Sequence, residues 1–252
     1  MRRRLVARWQ GILLALIGIV ATAWLAATDR LGLYIHPRYF WFTVIMAAIA
    51  AVLVVAAFAL APLAEPESHE HAPDASTRRS GSIRAALAAT IVVGAAFALL
   101  VLPPATLTSA TATQRSINST GATLDRNVPV FAGGDTSQFT VKDWAMLLRQ
   151  GPDADYLADK TVDVTGFVTA SPDDPENVFY VARFVVTCCA VDAQPVGVPV
   201  YLPRWAERFA ADQWVEASGV FAPNPGSSSS EALLLTPDEL SVVEQPDQPY
   251  VF

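Results

Sequence analysis

The sequence predicts a membrane-anchored α + β chain: three transmembrane helices followed by a small OB-like β-barrel domain outside the cytoplasm. Three stretches are free of charge over a membrane's width. The half that follows is rich in alternating, β-branched segments, and two of these are interrupted by glycine. Composition agrees. Of 252 residues, 52% are hydrophobic and 16% charged, against about 25% charged in an average soluble domain. Mean hydropathy is +0.34. A chain of this kind is neither disordered nor a nucleic-acid-binding tail, and two cysteines exclude a disulfide-dense secreted scaffold.

The predicted membrane domain covers residues 1–104, with spans at about 9–28, 39–64 and 85–102. A helix rises ~1.5 Å per residue and the hydrocarbon core is ~30 Å thick, so each run can cross. The runs are apolar all round, unlike the one-sided stripe of a soluble surface helix. Arg2, Arg3 and Arg4 with Ala21-Thr22-Ala23 resemble a signal peptide. The apolar run continues through Trp24 and Leu25, which favours an uncleaved span. Pro103 and Pro104 stop the third helix, since proline lacks a donor and clashes with the preceding turn.

Orientation follows from Arg and Lys near the helix ends. Arg2, Arg3, Arg4 and Arg8 precede the first span, and Arg78, Arg79 and Arg84 precede the third. The N-terminus and the loop 65–84 are therefore expected in the cytoplasm of a bacterial cell, and the C-terminal half outside it. Residues 105–123 hold nine Ser or Thr, and 105–125 reads as a flexible linker. Asn118-Ser119-Thr120 fits a glycosylation acceptor.

The domain 126–252 is predicted to be β-rich, with its barrel at about 159–244. A helix at 140–149 places Trp144, Leu147 and Leu148 on one face. Strands follow at 161–170, 178–189, 196–202 and 213–221. The stretch 233–243 holds an apolar run, a Thr-Pro-Asp turn and a short final strand. A second short helix is expected at 204–211. Gly166 and Gly219 interrupt two strands, as bends in a barrel require. A β-sandwich is the alternative. Residues 115–252 carry eight basic and nineteen acidic residues, so phosphate repulsion argues against nucleic acid as a partner.

The singular motif is TCCAVDAQPVG at 187–197. Cys188, Cys189, Asp192 and Gln194 are candidate ligand-binding residues, and the two thiols candidate ligands for a thiophilic metal ion. Neighbouring side chains on a strand point to opposite faces, so both thiols meet one ion only where the strand ends. Pro195 favours such an end. Three readings stand open. The cysteines pack as small hydrophobes, they form a ligand or redox site, or they join as a vicinal disulfide. The last is strained, because adjacent Cα atoms lie ~3.8 Å apart against a usual minimum of ~4.4 Å. His69 and His71 form a second candidate metal pair, in the loop 65–84. All three histidines, with His36, lie outside the soluble half. No catalytic Ser-His-Asp or Cys-His set is available there, and no catalytic residue is assigned.

The run RFVVTCCAVDAQPVG at 183–197, with a G-x-Y-I-H-P-R stretch at 32–38, resembles the YcgQ-type family of bacterial membrane proteins. The resemblance implies the second subunit of a two-component permease, with a multi-spanning permease partner in the lipid bilayer. It adds a partner and no mechanism; the expected role, a non-catalytic subunit whose outer domain binds or hands over a solute, is read beside it. The alternative is an envelope interaction module whose barrel binds protein or glycan.

Overall fold

The computed structural model describes residues 2–60, 75–102, 106–119 and 136–252. It divides into two units, Met1–Leu31 with Pro37–Pro104, and Gly32–His36 with Ala105–Phe252. His69 and His71 lie outside the described residues.

The first unit is helical: α1 (Arg2–Ala27), α2 (Phe40–Leu60) and α3 (Ala75–Leu100). α1 packs against both α2 and α3. The hydroxyls of Thr22 and Thr90 donate to Gly18 O and Ala86 O, one turn back, which satisfies them within an apolar helix. One stretch, Pro37–Ala57, is long and apolar enough to cross a membrane, with a mean hydropathy of 2.6. It leaves Trp41, Phe42, Val52 and Leu53 exposed. Gly11–Ala27 and Ala86–Leu99 are shorter apolar stretches. Among the described residues one helix is thus long and apolar enough to cross a membrane, beside the two shorter apolar stretches.

The second unit is built on one six-stranded mixed sheet, not on two packed sheets. Its strands are β1 (Val162–Ala170), β2 (Val178–Val185), β3 (Gln194–Tyr201), β4 (Trp214–Pro223), β5 (Leu233–Val242) and β6 (Tyr250–Val251). β1 is shared between two neighbours. Val162 to Phe167 pair with β4, and Phe167 to Ala170 pair with β2, both antiparallel. β2 pairs antiparallel with β3, β3 parallel with β5, and β5 antiparallel with β4. The pairing therefore returns to β1. Beyond the β1 contact, β6 pairs in parallel with Phe184 and Val185 of β2.

Two glycines permit this course. A Cβ on Gly166 would stand 2.5 Å from Ala182 O, and one on Gly219 would stand 2.2 Å from Thr236 O. The register slips between Ser218 and Gly219, where Gly219 faces Pro237. The Thr-Pro-Asp stretch is thus a bulge within one continuous strand and not a turn. Proline is tolerated at a bulge because the ladder is already interrupted there.

Helix α5 (Val141–Arg149) starts at Thr140, which accepts from Asp143 N while Asp143 accepts from Thr140 N at 2.8 Å. This reciprocal cap fixes the start of the helix. It drives Trp144, fully buried, against Phe139 and Phe221 and into the core with Val164, Val198 and Leu235. Helix α6 (Ala154–Leu157) buries Leu157 in the same core. The helix expected at 204–211 reduces to a 3-10 turn, Trp205–Glu207. Arg204 takes a left-handed φ of 56° and Trp205 Nε1 donates to Pro175 O at 3.0 Å, which together divert the chain.

The linker expectation for 105–125 is corrected over its described part. Helix α4 (Ser109–Gln114) buries Ala112 completely, in a second cluster with Phe167, Tyr180, Ala182 and Phe184. Asn118 N donates to Pro195 O, and its side-chain amide both donates to Gly197 O and accepts from Gly197 N. The amide proposed as a glycosylation acceptor is a cross-link to β3.

Candidate functional site

The cysteine turn begins where β2 ends. The strand was expected to run to Cys189, but it stops at Val185. Val186 N still donates to Val251 O. The next three amides then converge on one carboxylate. Asp192 accepts from Thr187 N at 3.2 Å, Cys188 N at 2.8 Å and Cys189 N at 3.4 Å. Ala190–Asp192 forms a 3-10 turn, and the chain re-enters the sheet at Gln194, opposite Val185.

Curling around Asp192 brings side chains together that a strand would separate. The two Sγ atoms lie 3.6 Å apart. Their donor atoms and a carboxylate oxygen of Asp192 all lie within 4.8 Å of one another, the one such grouping among the described residues. Cys188 is exposed and Cys189 half-buried, so neither sulfur is enclosed in a core. Gln194 opens β3, opposite Val185.

The charge state follows from the geometry. The Cys188 thiol is pushed up to about 12, first by its hydrogen bond to Asp192 and then by its hydrogen bond with Cys189. Partial burial pushes the Asp192 carboxyl up. Hydrogen bonds from the Cys188 thiol and from the backbone of Cys188, Thr187 and Cys189 outweigh that and hold it below the usual range. Both shifts run in the direction of a protonated Cys188 beside an ionised Asp192.

Two sequence-remote segments of the same unit hold the turn. Ala190 N donates to Tyr34 O at 2.8 Å, and His36 N donates to Cys188 O at 3.0 Å. Ile35 and Cys189 thereby form an isolated antiparallel bridge. On the other flank, Arg115 donates to Val191 O at 3.2 Å and to Ala193 O. Sequence reasoning missed both. The signal for Tyr34 to His36 was the G-x-Y-I-H-P-R stretch, which has no periodicity to place it. Arg115 sits in a Ser/Thr-rich run that reads as linker.

These features define a class: an N-terminal region of apolar helices joined to a mixed β-sheet that carries a cysteine turn on its rim. Residues 10–118 match the DUF1980 N-terminal domain, and residues 132–252 match the DUF1980 C-terminal domain. The chain carries both domains of the DUF1980 family, whose function is unknown. No curated protein matches it.

Proposed function

We propose that this chain is a non-catalytic membrane subunit of a two-component permease. Its extracytoplasmic β unit captures a thiophilic metal or metalloid ion and hands it to a multi-spanning permease. The observation that carries this reading is the convergence of Cys188, Cys189 and Asp192 within 4.8 Å. Thiolates favour soft ions, and an exposed turn gives an ion a way in and out. The charge-free runs at 9–28, 39–64 and 85–102 support three spans. The grouping of Gly32–His36 with the β-sheet supports a common side for the 29–38 loop and the C-terminal unit. The returning pairing of β1 through β5 supports an OB-like barrel.

The interaction-module reading is weaker. OB folds take oligonucleotides and oligosaccharides on the face of strands 2 and 3. Here β2 is almost wholly buried, with Leu107, Ile117 and Phe252 packed against the cluster of Phe167, Tyr180 and Phe184. Thiol exchange through Cys188 has less support, because exchange needs a thiolate and the hydrogen bond to Asp192 pushes that thiol up.

Affinity purification from native membranes, with metal analysis, tests the reading. A co-purified multi-spanning permease and a bound thiophilic ion are the expected result. A chain recovered with neither overturns it. Orientation has its own test in a Cys188→Ser/Cys189→Ser background. Ser228→Cys, at an exposed position, should react with a membrane-impermeant maleimide in spheroplasts. Reaction only after lysis reverses the topology.

The raised Cys188 thiol also sets a pH dependence. An ion must displace the thiol protons, so binding releases protons and tightens as pH rises. Zn²⁺ affinity should increase from pH 6 to pH 8. Calorimetry in buffers of different ionisation enthalpy should detect the released protons. A flat profile with no proton release would place the ion elsewhere.

A further inference from the structure

The cysteine turn offers three donors, whereas a tetrahedral ion takes four. The bridge to the α1–α2 loop indicates where a fourth comes from. Ile35 stands opposite Cys189, with His36 N donating to Cys188 O and Ala190 N donating to Tyr34 O. Residues opposed across an antiparallel pair project to the same face, with Cβ atoms roughly 4.5–5.5 Å apart. The same register sets His36 opposite Cys188, with the two backbones joined at His36 N and Cys188 O. In the structure the ring lies edge-on to Phe252, with centroids 5.0 Å apart. The imidazole is not among the donors that already converge at the turn.

The spacing of the sulfurs suits a tetrahedral ion. With sulfurs 3.6 Å apart and metal–sulfur bonds of about 2.3 Å, the S–M–S angle is about 103°. That is close to tetrahedral. A linear two-thiolate ion such as Cu(I) would need its sulfurs about 4.6 Å apart at the same bond length.

We infer that Cys188, Cys189, Asp192 and His36 form one four-donor site for a divalent, tetrahedral, zinc-like ion. The inference rests on the thiophilic-ion reading above and narrows it. Ion binding draws the imidazole off Phe252 and replaces the thiol–carboxylate hydrogen bond with bonds to the metal. Protons leave Cys188 and Cys189, and no electrons move. The site then spans the β2–β3 turn and the segment that joins α1 to α2.

The test uses the full chain in detergent, purified through a histidine-free tag. The chain has three histidines, so a His69→Ala/His71→Ala background leaves His36 as its sole imidazole. X-ray absorption of the Zn²⁺-loaded protein should show two sulfurs and one imidazole. Co²⁺ should give the intense visible bands of a tetrahedral thiolate site. His36→Asn keeps the backbone N–H that holds Cys188 O, so the metal-free protein should melt as before. Its Zn²⁺ affinity should fall at least about 10-fold and the imidazole signal should vanish. Bound Zn²⁺ without an imidazole signal, or unchanged affinity and Co²⁺ spectrum in His36→Asn, overturns the inference and leaves the ion reading standing. Preference for Cu(I) in a linear site also overturns the inference alone. If neither ion binds the unsubstituted chain, the ion reading falls as well.

Discussion

Gly219→Ala should lower the melting temperature of the β unit by roughly 10 °C, a loss of about 3 kcal/mol. The added methyl would meet the backbone of β5 at the bulge. Thr236 O would lie 2.2 Å away and the Pro237 Cα 2.9 Å away. Backbone atoms in a paired ladder cannot swing aside as a flexible side chain does. The register already slips at this point, and β4 there pairs β1 as well, through Val162. Relief on one side therefore strains the other. Tryptophan fluorescence of the full chain in detergent should follow the transition, since Trp144 and Trp205 are buried in the unit. Gly94→Ala is the matched control. No atom lies within 4 Å of its added Cβ, so the same transition should stay in place. A Gly219→Ala midpoint within about 2 °C of the unsubstituted chain would mean that the bulge tolerates a side chain.

The strands were legible because their signal is local. Residues 161–170 and 213–221 alternate with period two, and their glycines mark where the ladder bends. Helix α5 was legible from Trp144 and Leu147 on one face. The Thr-Pro-Asp stretch misled because proline reads as a turn, whereas here it occupies a slip in register opposite Gly219. Helix α4 was invisible for a different reason. Its Ser/Thr-rich sequence has no apolar stripe. It is ordered by one buried alanine, Ala112, and followed by polar anchors at Arg115 and Asn118. The turn after Cys189 could be read from Pro195. Its partners could not. Tyr34 and His36 stand far away in the sequence, and a single backbone bridge leaves no compositional trace.

Cys188→Ser/Cys189→Ser should abolish capture of thiophilic ions while leaving the fold intact. Removing only an outer partner of a metal ligand typically costs 10–100-fold in affinity, so removing two direct ligands should weaken Zn²⁺ binding by more than about 100-fold. The fold should survive because the turn is not held by sulfur. Its amides donate to Asp192, and its backbone is tied to Tyr34, His36 and Arg115. Cys188 is exposed, so serine there leaves no cavity and no stranded polar group. Asp192→Asn separates the two roles of the carboxylate. It removes the anionic donor and leaves one oxygen where two now serve Thr187, Cys188 and Cys189. Faster amide exchange at 187–189 together with weaker binding is the expected result. Exchange rates and Zn²⁺ affinity should thus separate the variants, with serine changing the second alone and asparagine both. Should the double serine variant keep its Zn²⁺ affinity, the ion does not sit at this turn. The thiols would then be surface groups of a turn that Asp192 builds for another purpose.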